Sequence, residues 1–291
     1  MTDTVMNAPV IKARGLAKSF GSFQALKQVS FDIPLGRIVG LIGANGAGKT
    51  TLLNAVLGLS SYQGELSVLG LNPAKQRGKL MHDVCFISDV ATLPKWMKVL
   101  EVLDFVQSVH PKFDRTKALA FLSRTKIPQA RKVKALSKGM VVQLHLAIVM
   151  AIDAKLLVLD EPTLGLDIMF RKQFYKNLLE EYFDEQRTVI ITTHQVEEIE
   201  HILTDVIFIK DGELVLEAKT EALSEQFVEL MVAPGKEVEA AALGPHSTGS
   251  SFGKTTCVYQ NIDPKKLTGL GETRRVGLAD IFVACMTGET Q

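Results

Sequence analysis

The stretch G-A-N-G-A-G-K-T, from Gly43 to Thr50, decides the fold of this 291-residue chain. It matches the pattern G-x-x-x-x-G-K-[S/T], in which glycines let successive backbone N–H groups converge on phosphate oxygens. The run R-I-V-G-L-I-G that leads into it has the length of a buried strand. Apolar residues recur after it at helical spacing, at Leu52, Leu53, Val56 and Leu57. The sequence therefore predicts a phosphate-binding loop that joins a strand to a helix.

The residue types within this loop suit a bound nucleoside triphosphate. Lys49 would neutralise charge on the β- and γ-phosphates, the Thr50 hydroxyl would ligate Mg²⁺, and the helix N-terminus adds partial positive charge. A chance glycine turn is the alternative, and the flanking strand and helix disfavour it. The predicted nucleotide-contacting residues here are Gly43, Asn45, Gly46, Ala47, Gly48, Lys49, Thr50 and Thr51.

A partial copy of the pattern occurs in F-G-K-T-T, where Gly253 and Lys254 repeat its last part. Thr248 stands where the first glycine of the pattern belongs, and no strong strand precedes it. We therefore predict no phosphate-binding role for this copy.

An acidic pair ends the second strongly apolar run, L-L-V-L-D-E-P. The run predicts a buried strand that delivers Asp160 and Glu161 to its carboxyl end, the edge at which open parallel sheets bind ligands. Asp160 would hold Mg²⁺ through its water shell, and Glu161 would orient or deprotonate an attacking water. A helix cap is the alternative for an isolated acidic pair, but the phosphate-binding loop upstream favours the catalytic interpretation.

The alternation of strands and helices predicts an α/β fold with a mostly parallel sheet. Alternating positions over Val10–Ile33, broken at Gly21, predict an antiparallel strand pair. The run T-V-I-I-T-T from Thr188 predicts a further strand, and residues from about 94 to 151 show only helical patterns. The pair Asp211–Gly212, between alternating apolar residues, predicts a β-hairpin.

Charge, cysteine content and hydropathy disfavour several classes of protein. The net charge of +1 offers no basic footprint for a nucleic-acid backbone, so we expect no nucleic-acid partner. Cys85, Cys257 and Cys285 are odd in number and lack C-x-x-C spacing, which predicts a reducing cytosol without disulfides or a zinc site. The uncharged run Leu144–Ile152 is about half of the ~20 residues that span a bilayer, and the segment M-T-D-T-V-M-N-A-P lacks a signal-peptide pattern. We expect membrane association to come only through a partner.

Three further motifs complete a family pattern. L-S-K-G-M occupies Leu136–Met140, G-L-D occupies Gly165–Asp167, and T-H occupies Thr193 and His194. Together with the phosphate-binding loop and L-V-L-D-E-P, they follow the order and approximate spacing of ATP-binding cassette (ABC) ATPases, which residues 10–220 resemble. The resemblance implies a P-loop NTPase fold with a parallel sheet core, an antiparallel β subdomain and a helical subdomain. It also implies ATP and Mg²⁺ as cofactors.

The resemblance implies roles for single residues as well. Ser137 and Gly139 correspond to the signature motif, which closes over the γ-phosphate bound to the opposite protomer, so catalysis would need a homodimer. Asp167 corresponds to the D-loop aspartate that communicates across that dimer, and His194 to the switch histidine on the γ-phosphate. Phe20 corresponds to the aromatic residue that stacks on adenine, with a core phenylalanine as the alternative.

Two places depart from the family pattern. Lys138 and Met140 replace a glycine and a glutamine that are usual in the signature. At the Q-loop, after the strand V-C-F-I, Ser88 and Asp89 stand where a glutamine is usual. Asp89 could meet Mg²⁺ or its waters, but with a shorter side chain.

The resemblance favours an ATP-hydrolysing transporter subunit that dimerises around two MgATP and drives a separate membrane permease. The signature variant and the C-terminal L-A-D-I-F-V-A are similar to bacterial exporters with separate permeases, which predicts a cytoplasmic protein on the inner face of the cell membrane. Soluble cassette ATPases acting on ribosomes or DNA are the alternative, which a single cassette without sustained heptads disfavours. A degenerate regulatory module is a third possibility, although Lys49, Asp160, Glu161 and His194 are all present.

A change of composition after Thr220 predicts two domains. We expect an ATPase domain over residues 1–220, with a helical subdomain at about 90–151, and a small α+β accessory domain over residues 221–291. The accessory domain contains a Gly-, Ala- and Ser-rich stretch from Ala233 to Lys254 and ends in the helix-like run L-A-D-I-F-V-A-C-M.

Trp96, the single tryptophan, follows the Q-loop in the region that meets the permease in cassette transporters. It either packs into the core of the helical subdomain or anchors the permease.

Overall fold

The structure is a computed structural model that describes residues 8–87, 93–251 and 253–287. Its strands are β1 (Ile11–Phe20), β2 (Phe23–Ile33), β3 (Ile38–Ile42), β4 (Gln63–Val68), β5 (Val84–Ile87), β6 (Leu156–Asp160), β7 (Thr188–Thr193), β8 (Asp205–Lys210), β9 (Glu213–Lys219), β10 (Phe227–Val232), β11 (Ser247–Ser251), β12 (Lys254–Gln260) and β13 (Gly271–Arg275). Its α-helices are α1 (Lys49–Val56), α2 (Pro73–Leu80), α3 (Val99–Val109), α4 (Arg115–Ser123), α5 (Lys138–Met150), α6 (Ile168–Asn177), α7 (Thr220–Gln226), α8 (Glu237–Ala242) and α9 (Leu278–Thr287). A π-helical turn, Leu178–Tyr182, continues α6.

The central sheet has the strand order β5-β6-β7-β3-β8-β9. All neighbours in it are parallel except the terminal pair β8 and β9, the hairpin predicted at Asp211–Gly212. Strands β3, β6 and β7 are buried along their whole length, as expected for parallel strands covered on both faces. The predicted α/β fold with a mostly parallel sheet is confirmed.

Two hydrophobic clusters cover the two faces of this sheet. Successive side chains of a strand point to opposite faces, so Ile38 and Ile42 join one cluster while Val39 and Leu41 join the other. The first cluster holds the helical segments α3 to α6, and the second holds α1 and the antiparallel sheet. The sheet is therefore packed on both faces. The phosphate-binding loop follows β3 at the edge of the sheet where the parallel strands end.

The predicted antiparallel pair is formed by β1 and β2, which turn at Gly21. No sequence pattern predicted β4, which pairs with the other edge of β1, with Ile11 opposite Val68. The resulting order β2-β1-β4 matches the antiparallel β subdomain that the family resemblance implied.

The segment between β5 and β6 is helical where the structure describes it, in agreement with the sequence pattern. Helix α3 buries Val99, Val102 and Leu103, and α5 buries most of its second half. This segment carries the L-S-K-G-M motif at the start of α5.

The C-terminal part contains an antiparallel sheet of order β11-β12-β10-β13 with α7, α8 and α9 around it. The partial copy of the loop pattern lies at the turn of the hairpin β11–β12, with Lys254 opposite Ser251, and so lacks the strand-loop-helix context. The predicted α+β appendage is confirmed as a fold class. Its exact boundary near residue 220 remains a proposal.

Helix α9 returns to the central sheet. The Phe282 ring meets the Phe208 ring of β8 edge-on at 5.3 Å, and Lys210 Nζ donates to the Met286 carbonyl at 2.7 Å. Across the described ranges, no helix combines the length and apolar character needed to cross a bilayer.

Candidate functional site

The phosphate-binding loop connects β3 to α1, as predicted. Two of its glycines are required by close backbone approach: a Cβ on Gly43 would lie 2.4 Å from the Ile209 carbonyl oxygen, and one on Gly48 2.7 Å from that of Ala25. Gly48 also has φ of 110°, which disfavours side chains. No side chain caps the start of α1, so its first N–H groups are available to an anion.

Lys49, the first residue of α1, is buried. Its ammonium donates to the carbonyl oxygens of Gly43 at 2.6 Å and Ala44 at 3.1 Å, which uses two of its three N–H donors. Burial lowers the pKa of Lys49, while the nearby carboxylates of Glu161 and Asp160 act in the opposite direction. The backbone of the loop therefore holds the Lys49 ammonium in place. The third N–H donor of this ammonium remains available to a phosphate oxygen.

The acidic pair lies at the carboxyl end of β6. Asp160 is buried, and its Oδ1 accepts a hydrogen bond from Thr192 Oγ1 at 2.5 Å. The same hydroxyl accepts from the Glu161 backbone N–H at 3.2 Å. Glu161 has φ of 48°, in the left-handed region, so the chain turns sharply after the buried aspartate. Asp160 is thus buried against Thr192, while the Glu161 side chain is 17% exposed.

His194 follows β7 and contacts the second carboxylate. Its Nδ1 lies 2.9 Å from Glu161 Oε1, and its side chain is about half exposed. Because β6 and β7 are parallel neighbours with Asp160 opposite Thr192, the residues that follow both strands meet at one edge. The structure therefore joins the two predicted catalytic residues directly.

A cleft of about 320 Å³ runs over these residues. Its walls are formed by Phe20, Phe23, Ala25, Asn45, Gly46, Gly48, Lys49, Thr50, Thr51, Asp160 and Glu161. Phe20 is 56% exposed and Phe23 is 62% exposed, which excludes the core alternative for Phe20. The cleft has an aromatic end and a phosphate-binding end, the two chemistries of a nucleotide. Gly43 and Ala47 are buried beneath it and shape the loop.

Ser137, Gly139 and Asp167 are not among the residues that line this cleft. Ser137 caps α5 by accepting from the Met140 N–H at 3.3 Å, and Asp167 caps α6 by accepting from the Phe170 N–H at 3.1 Å. Gly139 has open space around it, its nearest neighbour being the Gly165 carbonyl. Within one chain, these residues are separate from the nucleotide-type cleft.

The residues present suit a Mg²⁺ ion with bound phosphate. Thr50 and Asp160 line the same cleft with a hydroxyl and a carboxylate, the hard oxygen ligands that Mg²⁺ prefers. Thr192 occupies only Oδ1 of Asp160, and within the described residues Oδ2 accepts no hydrogen bond. Asp89, the third predicted ligand, lies outside the described residues together with Ser88.

Sequence reasoning missed three residues of the site: Phe23, Ala25 and Thr192. Phe23 lies opposite Phe20 across the β1–β2 turn, a position that the strand-pair prediction contained. Thr192 supports both acidic residues, and the signal for it was available, since parallel neighbouring strands end at the same edge.

Comparisons with known proteins agree with this geometry. The family model described as "ABC transporter" matches residues 26–164. The ABC transporter ATP-binding protein YdbJ of Bacillus subtilis, itself uncharacterised, is 33% identical over 76% of this chain and 72% of its own length. The chain belongs to the ABC transporter ATP-binding family. The resemblance inferred from the motifs is thereby confirmed, and with it the assignment as an ATP-binding ABC ATPase.

This ABC protein is also similar to an export protein and to a solved dimeric cassette. The Nod factor export ATP-binding protein I of Sinorhizobium fredii is 28% identical over 94% of this chain and 84% of its own length. A dimeric structure of the ATP-binding cassette MJ0796, in a post-hydrolysis state with ADP and Pi, has a TM-score of 0.62 at 24% identity, covering 72% of this chain and 98% of that one. The structural likeness supports the ABC ATPase fold.

Proposed function

We propose that this ABC protein hydrolyses ATP as one half of a homodimer and drives a separate membrane permease that exports its cargo. The observation that carries the proposal is the single cleft in which an uncapped helix start, a buried lysine and two carboxylates meet below exposed aromatic rings. Adenine would stack on Phe20 and Phe23 at one end, while the triphosphate would lie along Gly46–Thr51 at the other.

The residues of the cleft divide the chemistry between them. Lys49 and the first N–H groups of α1 would hold the β- and γ-phosphates. Thr50 and Asp160 would hold Mg²⁺, which would supply positive charge beside the phosphate oxygens. Glu161 orients the attacking water and accepts its proton. His194, in contact with Glu161 Oε1, fixes that carboxylate and approaches the γ-phosphate. Phosphoryl transfer needs mainly positioning and charge stabilisation, which these groups provide.

The proposed dimer would close the side of the cleft that is open within one chain. Ser137 and Gly139 do not line it within one chain; at the start of α5, Ser137 is exposed and Gly139 is half-buried. The Ser137 hydroxyl satisfies the Met140 N–H, which leaves the N–H groups before Met140 for an anion. A partner's α5 start would close over the γ-phosphate, and Asp167 would lie at the same boundary. The dimeric MJ0796 cassette, which shares this fold, supports such an arrangement.

The proposal also includes a membrane permease as partner and export as the direction of transport. Transport by an ABC ATPase requires a membrane-spanning partner, so the chain would lie in the cytoplasm on the inner face of the cell membrane. Export is supported by the alignment with the Nod factor export protein, which extends through the C-terminal part.

The deciding experiment is Glu161→Gln. We expect kcat for ATP to fall by about 100-fold or more, the usual contribution of a general base, while MgATP still binds. Because ATP then persists, the variant should elute as a dimer in MgATP during size-exclusion chromatography and as a monomer without it. Glu185→Gln, an exposed change before β7, is the matched control and should behave as wild type.

The possible outcomes test the catalytic role of Glu161, the dimer and the permease separately. A Glu161→Gln variant with full turnover would remove the catalytic assignment, and one that stays monomeric in saturating MgATP would remove the dimer. Purification of the tagged chain from membranes, with or without an integral membrane protein bound to it, tests the permease. Recovery with ribosomes or DNA instead would favour a soluble cassette ATPase.

A further inference from the structure

Arg171 lies one turn into α6, four residues after Asp167, and is not among the residues that line the nucleotide cleft. Its side chain is 18% exposed, although arginine is among the residues least often buried. A charge buried to this degree requires partners on several sides.

The guanidinium of Arg171 has three such partners. Its Nε donates to the Leu166 carbonyl oxygen at 2.9 Å. Its Nη1 donates to Gln195 Oε1 and to Glu198 Oε1, the latter at 2.5 Å. One planar group therefore contacts the backbone just before Asp167 and two side chains just after His194.

These partners belong to the two segments that carry Asp167 and His194, to which the proposed function assigns roles in hydrolysis. Leu166 belongs to the G-L-D motif, and its carbonyl is fixed directly next to Asp167. Gln195 follows His194, and its N–H is held by Thr193 Oγ1 at 3.0 Å, so the turn that carries His194 is anchored on both sides. The rigid fork of a guanidinium fixes the mutual position of groups more strictly than a flexible ammonium.

We propose that Arg171 is a positioning residue for ATP hydrolysis: it couples the segment before Asp167 to the turn that carries His194, and so keeps His194 in contact with Glu161. The proposal rests on the proposed function, because it assigns His194 and Glu161 to the hydrolytic step. Arg171 itself does not line the nucleotide cleft. Its loss should therefore affect turnover and leave the binding of MgATP unchanged.

The test compares Arg171→Met with Arg187→Met. Arg187 is a matched control because it is 22% exposed and also binds two segments, through the Tyr182 carbonyl and Asp153, without lining the cleft. We expect Arg171→Met to lower kcat by about 10- to 100-fold, the range that a displacement near 1 Å causes, with KM for MgATP within about twofold. Arg187→Met should keep the wild-type kcat.

Three further variants extend the test, and Gln195→Ala and Arg171→Lys keep it valid if Arg171→Met fails to fold. Gln195→Ala keeps the arginine and removes its switch-side partner, so kcat should fall while the melting temperature stays near that of wild type. Because the two residues act as one unit, the double variant should be no slower than Arg171→Met alone. Arg171→Lys should restore only part of kcat, since an ammonium cannot reproduce the fork.

The results distinguish this inference from the function on which it depends. If Glu161→Gln abolishes turnover while Arg171→Met and Gln195→Ala keep the wild-type kcat, the positioning role is overturned and the proposed function stands. The positioning role would also be overturned if Arg171→Met raised KM for MgATP by the same factor by which it lowered kcat. An equal fall of kcat in Arg187→Met would overturn it as well. Turnover that does not depend on Glu161 would overturn both.

Discussion

Three residues that line the cleft have left-handed backbone conformations, Gly46 with φ of 83°, Gly48 with φ of 110° and Glu161 with φ of 48°. Glycine adopts this region readily, whereas for glutamate it is uncommon and carries a local energetic cost. The cost is offset by the buried strand before Glu161 and by the Thr192 hydroxyl that accepts from its N–H. The residue predicted to activate water is thus the one whose backbone is held in an unusual conformation.

The buried lysine gives a prediction at the same scale. Lys49→Ala should weaken ATP binding by about tenfold or more, because charge-assisted hydrogen bonds contribute about 1.5–3 kcal/mol each, and it should abolish turnover. Calorimetric titration with ATP measures the binding. Lys254→Ala in the partial copy of the pattern is the control, since this exposed lysine begins β12, and it should leave affinity unchanged. Undiminished turnover by Lys49→Ala would contradict the phosphate-binding assignment.

At the scale of elements, three helices begin at functional motifs and differ in how their first N–H groups are satisfied. Ser137 caps α5 and Asp167 caps α6, but no side chain caps α1. Side-chain caps satisfy N–H groups that would otherwise bind an anion. Of these three helix starts, the one that faces the cleft is therefore the one without a side-chain cap.

Helix α9 joins the C-terminal part to the ATPase core. The Glu200 carboxylate accepts from the Leu278 N–H at 3.2 Å, and Ile281, Ala284 and Cys285 belong to the same hydrophobic cluster as β7 and β8. Burial raises the pKa of the Cys285 thiol to about 11, which keeps the thiol neutral in this interface. The helix therefore completes the core of the ATPase part.

This packing predicts a stability effect that extends beyond the appendage. Ile281→Ala should lower the free energy of unfolding by about 2–5 kcal/mol, the usual cost of truncating a buried isoleucine, and should lower the melting temperature of the ATPase part as well. Val283→Ala, 55% exposed on the same helix, should change stability by less than about 0.5 kcal/mol. Scanning calorimetry with and without MgATP identifies the nucleotide-binding transition. An unchanged temperature for that transition would contradict the shared core.

At the scale of the whole molecule, the exposed surface of the helical subdomain bears on assembly. Trp96 is 68% exposed, so it does not pack into the core of that subdomain. Tryptophan is enriched at the energetic centres of protein interfaces. Trp96 therefore remains available for the permease contact that the family resemblance suggested.

We predict that Trp96→Ala weakens capture of the permease by about 2 kcal/mol or more while the free subunit keeps its melting temperature and basal ATPase. Val238→Ala, 83% exposed on α8, is the control for loss of an exposed apolar side chain. The measurement is recovery of the co-purifying membrane protein with each variant, beside a thermal melt. Equal recovery with Trp96→Ala and wild type would eliminate this contact.

Much of the site could be predicted because its signals are local. The strand, the glycine loop and the helix start follow one another within residues 38–56, and steric limits on the loop make glycine the required residue at Gly43 and Gly48. The acidic pair could likewise be predicted, because an apolar run of strand length directly precedes it. The alternation of strands and helices then implied a parallel sheet that brings these carboxyl ends together.

The sequence by itself determined the α/β class, the phosphate-binding loop, the acidic pair and the family, because each depends on residues close together along the chain. Only the tertiary structure decided the contacts that join distant segments: the bridge from Arg171 to Glu198 spans 27 positions, and the one from Leu278 to Glu200 spans 78. Such pairs carry no periodicity and no fixed spacing. They form because the sheet and its two hydrophobic clusters fix the elements beside one another, so that buried charges and helix ends lie within reach of partners of matching chemistry.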